Sequence, residues 1–258
     1  MRLEDYVFSG KPLDNTLVID VHIHNGASTR IQKMGCEGKD IVETMDRLGV
    51  DIVCASNSPG AYSDLCWGNE CVAKTHAAYP DRIKAYLTVN PNYPDWDLDD
   101  YFVRDDRFLG IKAIPFVQGW KPIDDPGLDA YYAYADQKGL PVLFHAWMPA
   151  EVEQATRIAK RYPGAKFIFG HSGFTARDLA VEAVRSCENV LLDTTISDVS
   201  EGSVEWLVNK VGADRVAYGS DLTAFECAQI FGRILLARIS DTDKEKILGL
   251  NAKAFLNL

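Results

Sequence analysis

Short apolar runs alternate with amphipathic helical patterns along this chain, and that alternation limits the fold more than any single motif. Runs rich in β-branched and aromatic residues cover 17–22, 51–55, 83–89, 109–114, 141–145, 166–170, 189–193 and 215–219. Helical periodicity lies between them, over 39–48, 69–79, 96–102, 128–138, 149–162, 176–186, 201–211 and 226–237, and a last helix over 241–248 closes the chain. Strand–helix–strand order makes neighbouring strands parallel, because each helix carries the chain back to the same end of the sheet. Eight such units in 258 residues predict an α/β fold, a closed (β/α)8 TIM barrel forming a single domain over 1–258. An open doubly wound sheet fits less well, since "HIHNGAS" after the first strand lacks the glycine spacing of a dinucleotide-binding turn. The joints carry turn chemistry: Lys138-Gly139 ends a helix before "LPVLFH", and "RYPGAKFIFGH" and "VGADRVAYGSD" are glycine-containing helix-to-strand turns. Residues before Leu17 are expected to cover the bottom of the barrel or to pair with a neighbouring segment.

Composition narrows the partners. A 47% hydrophobic, 25% charged chain can bury a large core. A net charge of −10 argues against nucleic acid and against anionic membrane surfaces. The start, "MRLEDYVFSG", has no apolar leader and no run reaches transmembrane length, so a cytoplasmic protein is expected. The six cysteines (Cys36, Cys54, Cys66, Cys71, Cys187, Cys227) form no C-x-x-C pair and read as reduced, mostly buried thiols. A homo-oligomer is left open.

Within the predicted barrel, the polar residues fall in a telling place. The stretch "LVIDVHIHNG" begins as a core strand and ends in His22 and His24. In a regular strand over 18–24, Asp20, His22 and His24 share one face, with Val21 and Ile23 on the other. His145 ends the fifth strand, His171 the sixth and Asp221 the eighth. Of the five histidines only His76 sits inside a helical pattern, where a solvated or capping role suffices. The C-terminal ends of barrel strands converge on one mouth, where active sites are built. Two stacked imidazoles in a core each need a partner, and a shared divalent metal satisfies both. Imidazole suits zinc, manganese or iron.

Taken in order, "DVHIH", the strand-end His145, "GHSG", "GSD" and the terminal "ILGLNAKAFL" resemble the amidohydrolase superfamily. They resemble in particular its amidohydrolase-related branch, which includes aminocarboxymuconate-semialdehyde decarboxylase. "YPDRIKAYLTVNP" looks like that branch's lead into the third strand, and the resemblance spans residues 20–256. It implies a distorted barrel with one divalent metal, zinc by ligand type, with manganese or iron as the other choices. It implies His22, His24, His145 and Asp221 as ligands, His171 as an acid/base near the substrate, and Asp221 as a second proton carrier. A bound water whose pKa is lowered to about 7 would be the nucleophile.

Lys112, in "GIKAIP" at the end of the fourth strand, adds an alternative. Binuclear members of the superfamily carry a carboxylated lysine there as a bridge to a second metal; one metal is the expectation here. Asp193, ending the seventh strand in "VLLDTT", is expected to serve in structural hydrogen bonds. Specificity should come from the loops: Arg30 and Lys33 after the first strand, "SNSPGAYSD" after the second, Gln118, Trp120 and Lys121 after the fourth, Trp147 and Met148 after the fifth. Of these, Arg30 and Trp147 are the substrate-binding candidates, and a cation with aromatics suits a small, carboxylated substrate. The near-minimal barrel favours a hydrolase of a small lactone, ester or amide. The alternative is a non-oxidative decarboxylase of an unsaturated or aromatic carboxylate, and a non-catalytic metal-binding protein is the third class.

Overall fold

The computed structural model describes residues 1–27, 37–93, 97–104, 107–195 and 200–258. Its strands are β1 (Ile19–Asn25), β2 (Ile52–Asn57), β3 (Ile83–Val89), β4 (Gly110–Ala113), β5 (Pro141–His145), β6 (Lys166–Gly170), β7 (Val190–Asp193) and β8 (Val216–Ala217). They pair in parallel in chain order from β1 to β8. The β8–β1 seam is closed by a short set of bonds rather than a full ladder. Val21 N–H donates to the Tyr218 carbonyl at 2.9 Å, Asp221 N–H donates to the His22 carbonyl at 2.9 Å, and Ile23 bridges Leu222. The eighth strand is therefore shorter than its apolar run suggested. The result is a nearly closed (β/α)8 barrel, as the alternation predicted.

The helices that follow the strands are α2 (Gly38–Leu48), α3 (Ser58–Tyr62), α4 (Leu65–Ala78), α5 (Asp129–Lys138), α6 (Pro149–Arg161), α7 (Arg177–Ser186), α8 (Ser203–Val211), α9 (Cys227–Leu236) and α10 (Asp241–Glu245). Helix α4 begins before its apolar period does, because the Asp64 carboxylate accepts from Trp67 N–H and caps it. Helix α5 stops where expected: Gly139 takes φ +68°, the left-handed turn that a Cβ disfavours. The expected helix over 96–102 is instead a π-helical turn, Asp100–Arg104, and Trp96 lies outside the described residues. Among the described residues no helix is long and apolar enough to cross a membrane, and Cys54, Cys66, Cys71, Cys187 and Cys227 are free thiols.

Two apolar layers result from the strand period. Outward residues such as Val53, Ile111, Phe144 and Phe167 pack with helix residues Ile41, Val72, Ala155 and Ile158. Inward residues Ile19, Val21, Cys54, Tyr86, Leu143, Ile168, Leu191 and Ala217 fill the barrel, joined by Ala252 and Leu256 of α11 (Asn251–Leu256). The C-terminal helix thus plugs the interior. The N-terminal helix α1 (Leu3–Ser9), expected at the bottom, lies against α9, and Leu13 N–H bonds the Leu48 carbonyl that ends α2.

Two residues further along each strand, the inward side chain changes character. Cys54 is followed by Ser56, Tyr86 by Thr88, Gly110 by Lys112, Leu143 by His145 and Leu191 by Asp193. Ile168 is followed by Gly170, and the absence of a side chain is required there. A Cβ on Gly170 would lie 2.6 Å from the Phe144 carbonyl and 2.9 Å from His22 Cε1. Gly170→Ala is therefore expected to lose about 1–3 kcal/mol, the usual cost of overpacking a filled core. A urea titration should show a lower midpoint with an unchanged slope, and an unaltered midpoint would refute this packing.

Candidate metal centre

Strand β1 does not run as a regular alternation. Its pairing with β2 shifts register between Asp20 and Ile23. Val21 joins the interior layer instead of the outer face, while Ile23 faces outward as expected. The Asp20 carboxylate explains how the irregularity is held. Its Oδ1 accepts from His22 N–H and from Ser220 N–H, each at 3.1 Å, so Asp20 ties the β8–β1 seam instead of joining the imidazoles. His22 and His24 still converge, with ring centroids 5.4 Å apart.

Each imidazole is oriented by its second nitrogen. His22 Nδ1 lies 2.7 Å from Asp193 Oδ2 in a fully buried pair. A carboxylate only accepts, so this contact puts the proton on Nδ1 and leaves the Nε2 lone pair for a ligand. His24 Nδ1 faces Ser56 Oγ at 3.1 Å. The two Nε2 atoms then flank Asp221 Oδ1, at 3.0 Å from His24 and 4.0 Å from His22. Candidate ligand atoms of His22, His24 and Asp221 all lie within 4.8 Å of one another. Tetrahedral ligands about 2.1 Å from a shared ion stand roughly 3.4 Å apart, so this donor set fits a divalent transition metal.

Asp221 is held in an uncommon backbone conformation against the two imidazoles. It has φ +59°, uncommon for a non-glycine residue, and its buried Oδ1 faces the His24 and His22 imidazoles at 3.0 and 4.0 Å. Burial works to raise its pKa, but the His24 bond and the surrounding imidazoles outweigh it and hold the carboxyl well below the usual range.

His145 and His171 form a separate pair. His171 Nε2 is 3.1 Å from His145 Nδ1, and His145 stands outside the three-residue group. His171 N–H donates to Asp193 Oδ1 at 2.7 Å and to Thr195 Oγ1 at 2.8 Å, at a backbone φ of +69°. Its buried Nδ1 has no hydrogen-bond partner. Burial pushes the His171 imidazole down to about 3, and burial beside His171 and Lys112 holds His145 well below its usual value. Burial thus favours the neutral form of both rings, the form that ligates or accepts a proton.

Asp193 therefore does more than brace the seventh strand: one oxygen sets the His22 tautomer and the other holds the His171 backbone. In Asp193→Asn the amide group can donate to His22 Nδ1 and move the ring proton to Nε2. Metal affinity is expected to fall about 10- to 100-fold in a metal titration, with the circular dichroism unchanged. Wild-type affinity in this variant would exclude the orienting role.

Above these groups lies a cavity of about 130 Å³ lined by His24, Tyr62, His145, Trp147, Asp221 and Phe225, among others. Its wall is aromatic. Tyr62, Trp147 and Phe225 form it, the Trp147 ring stacks on His145 at 5.5 Å, and Phe116, outside the lining, lies 4.8 Å from the same imidazole. Trp147, expected among the substrate-binding residues, lines this cavity. Gln118 instead donates to the Val89 carbonyl, Trp120 is 82% exposed, and Lys121 pairs with Asp125. Arg30 and Lys33 lie outside the described residues. Thr88, Phe116 and Phe225 were not singled out from the sequence, and Ser56 and Tyr62 only as part of the loop after the second strand. Only Ser56 and Thr88 carried a signal, namely their place two residues beyond an inward apolar side chain.

The family model described as amidohydrolase matches residues 65–258. No curated protein matches the sequence. Solved structures share the fold at low identity. One is 2,6-dihydroxybenzoate decarboxylase complexed with 2,6-dihydroxybenzoate: 15% identity, 95% of this chain and 99% of that one covered, TM-score 0.76. Another is 5-carboxyvanillate decarboxylase from Novosphingobium aromaticivorans with manganese and a nitrobenzoic acid: 18% identity, 96% and 99% covered, TM-score 0.72. A third is dihydroxybenzoic acid decarboxylase from Polaromonas sp. JS666 with manganese and 2-nitroresorcinol: 16% identity, 94% and 97% covered, TM-score 0.69.

Proposed function

The chain belongs to the amidohydrolase family, and from that premise we propose that it is a metal-dependent, non-oxidative decarboxylase of a small aromatic carboxylate. The observation that carries this reading is the His22–His24–Asp221 donor group at the floor of an aromatic cavity. Three structural relatives that are decarboxylases of hydroxylated or methoxylated benzoates support it. Hydrolysis, favoured from the sequence because the barrel is near-minimal, has weaker support. The alignments run nearly the full length of the decarboxylase chains, so size does not separate this protein from them.

One divalent metal would be held by His22, His24 and Asp221, with His145 beside the group as the next donor. Two relatives carry manganese, which makes manganese, rather than the zinc expected from ligand type, the first ion to load. The ion would supply a Lewis acid that anchors the substrate's oxygens. Tyr62, Trp147 and Phe225, which line the cavity, would flank the aromatic ring, and the cavity wall would exclude water from it. As the carboxylate leaves as carbon dioxide, its bonding electron pair stays on the ring carbon, which must take a proton. Asp221 and His171, on the floor and wall of the cavity and both favoured in their unprotonated forms, are the groups placed to take that proton from water or a substrate hydroxyl and pass it on.

The test is carbon dioxide release by the manganese-loaded protein from a panel of hydroxybenzoates, set beside a panel of lactones and esters. Stoichiometric carbon dioxide with loss of the carboxylate is expected. Turnover confined to lactones or esters would return the site to hydrolysis.

A further inference from the structure

Two neighbouring cavities share walls with the one above the metal group. That cavity, at about 130 Å³, lies well below the roughly 300 Å³ from which sites for drug-sized ligands begin, so it suits a single ring. Tyr62 separates it from a cavity of about 300 Å³ lined also by Asn90, Tyr93 and Gln118. Ala224 and Phe225 separate it from one of about 670 Å³, lined also by Asp40, Glu43, Arg47 and Glu226.

The second wall is the thinner, and the space behind it is the larger. Ala224 contributes only a methyl group, so the Phe225 ring supplies the bulk of that wall. Phe225 is 40% exposed, so its side chain carries little of the core packing. The backbone around it is held by other groups. The N–H groups of Ala224 and Phe225 donate to the Asp221 carbonyl at 2.8 and 3.1 Å. Thr223 Oγ1 donates to the His24 carbonyl at 2.9 Å, and the Glu226 carboxylate accepts from Ala228 N–H at 3.2 Å at the start of α9. The ring can therefore be trimmed while the turn that carries Asp221 stays in place.

We propose that Phe225 determines specificity by size: it closes the cavity beside the bound ring and rejects substrates that carry a chain on that ring. This rests on the reading of the site as one for a small aromatic carboxylate. With Phe225 reduced to alanine, the two cavities join and the chain enters the larger one.

Calorimetric titration of the manganese-loaded protein with 2,6-dihydroxybenzoate and with its 3-propyl and 4-propyl derivatives tests it. The two derivatives place a chain on each kind of ring carbon that the carboxylate and hydroxyls leave open. The wild type should bind the plain ring at least about tenfold more tightly than one or both derivatives, since a methylene too many in a fitted pocket costs roughly 10- to 200-fold. In Phe225→Ala that preference should vanish or reverse, and Phe225→Leu should fall between the two. The preference is a ratio of two constants in one protein, so a partly folded or partly loaded sample leaves it unchanged. A wild type that binds both derivatives as tightly as the plain ring overturns the proposal, and so does a Phe225→Ala variant that keeps the wild-type preference. Preference lost in Tyr62→Ala but kept in Phe225→Ala overturns it too and assigns the wall to Tyr62. A loaded wild type that binds none of the three overturns both this proposal and the aromatic-carboxylate reading. The expected shift in binding without carbon dioxide release would overturn the decarboxylase reading and leave this one standing.

Discussion

His24→Ala is expected to yield a folded barrel that no longer retains a divalent metal. Structural zinc is worth about 10–16 kcal/mol over four ligands, so one ligand carries roughly 3 kcal/mol and its loss costs about two orders of magnitude in affinity. The choice of variant follows from the contacts. His24 is partly exposed, and its neighbours Ser56 and Asp221 sit at the cavity, where water can replace it. His22 is fully buried between Asp193 and Lys112. Removing it would strand a buried carboxylate and a buried amine, at about 3–5 kcal/mol. Metal loss in His22→Ala would then be confounded with unfolding. Elemental analysis after dialysis, with a parallel thermal melt, separates the two effects. Stoichiometric metal in His24→Ala would remove the imidazole from the ligand set.

His171→Asn is expected to keep its metal and lose activity by about 10²- to 10⁴-fold, the usual contribution of a positioned acid or base. The geometry separates the two properties. His171 faces His145 and stands outside the His22–His24–Asp221 group. Its backbone anchor to Asp193 does not depend on the side chain, so the turn should survive the substitution. Equal metal loss in His171→Asn and His145→Ala would make both residues ligands and move the proton transfer to Asp221.

Much of the site was legible because strand-end chemistry is written locally. His22, His24, His145, His171 and Asp221 each follow a recognisable apolar run, and a barrel brings such ends to one mouth. Trp147 was found the same way, two residues past His145. The unforeseen parts depend on neighbours distant in sequence. Asp20 was expected beside the imidazoles, but the nearly closed barrel leaves a seam with unpaired N–H groups, and Asp20 satisfies two of them. His145 was placed at the mouth by its strand, but that its Nδ1 faces His171 was not foreseen. Lys112 was weighed as a bridge to a second metal, yet its amine meets His22.

The sequence by itself determined the order of strands and helices, the inward period of two, and which residue types stand at each strand end. These depend on side-chain volume, polarity and backbone preference over a few residues, and they hold wherever the segment is placed. Only the tertiary structure decided which of those ends touch. Asp193 reaches His22 from 171 positions away, and Asp20 meets Ser220 across 200. Such pairings depend on the register at which eight strands come round to meet, and a shift of one residue would turn every inward side chain outward. The tautomer of His22, the left-handed backbone at His171 and Asp221, and the partner of Lys112 all follow from that register, and no local stretch of this chain encodes it.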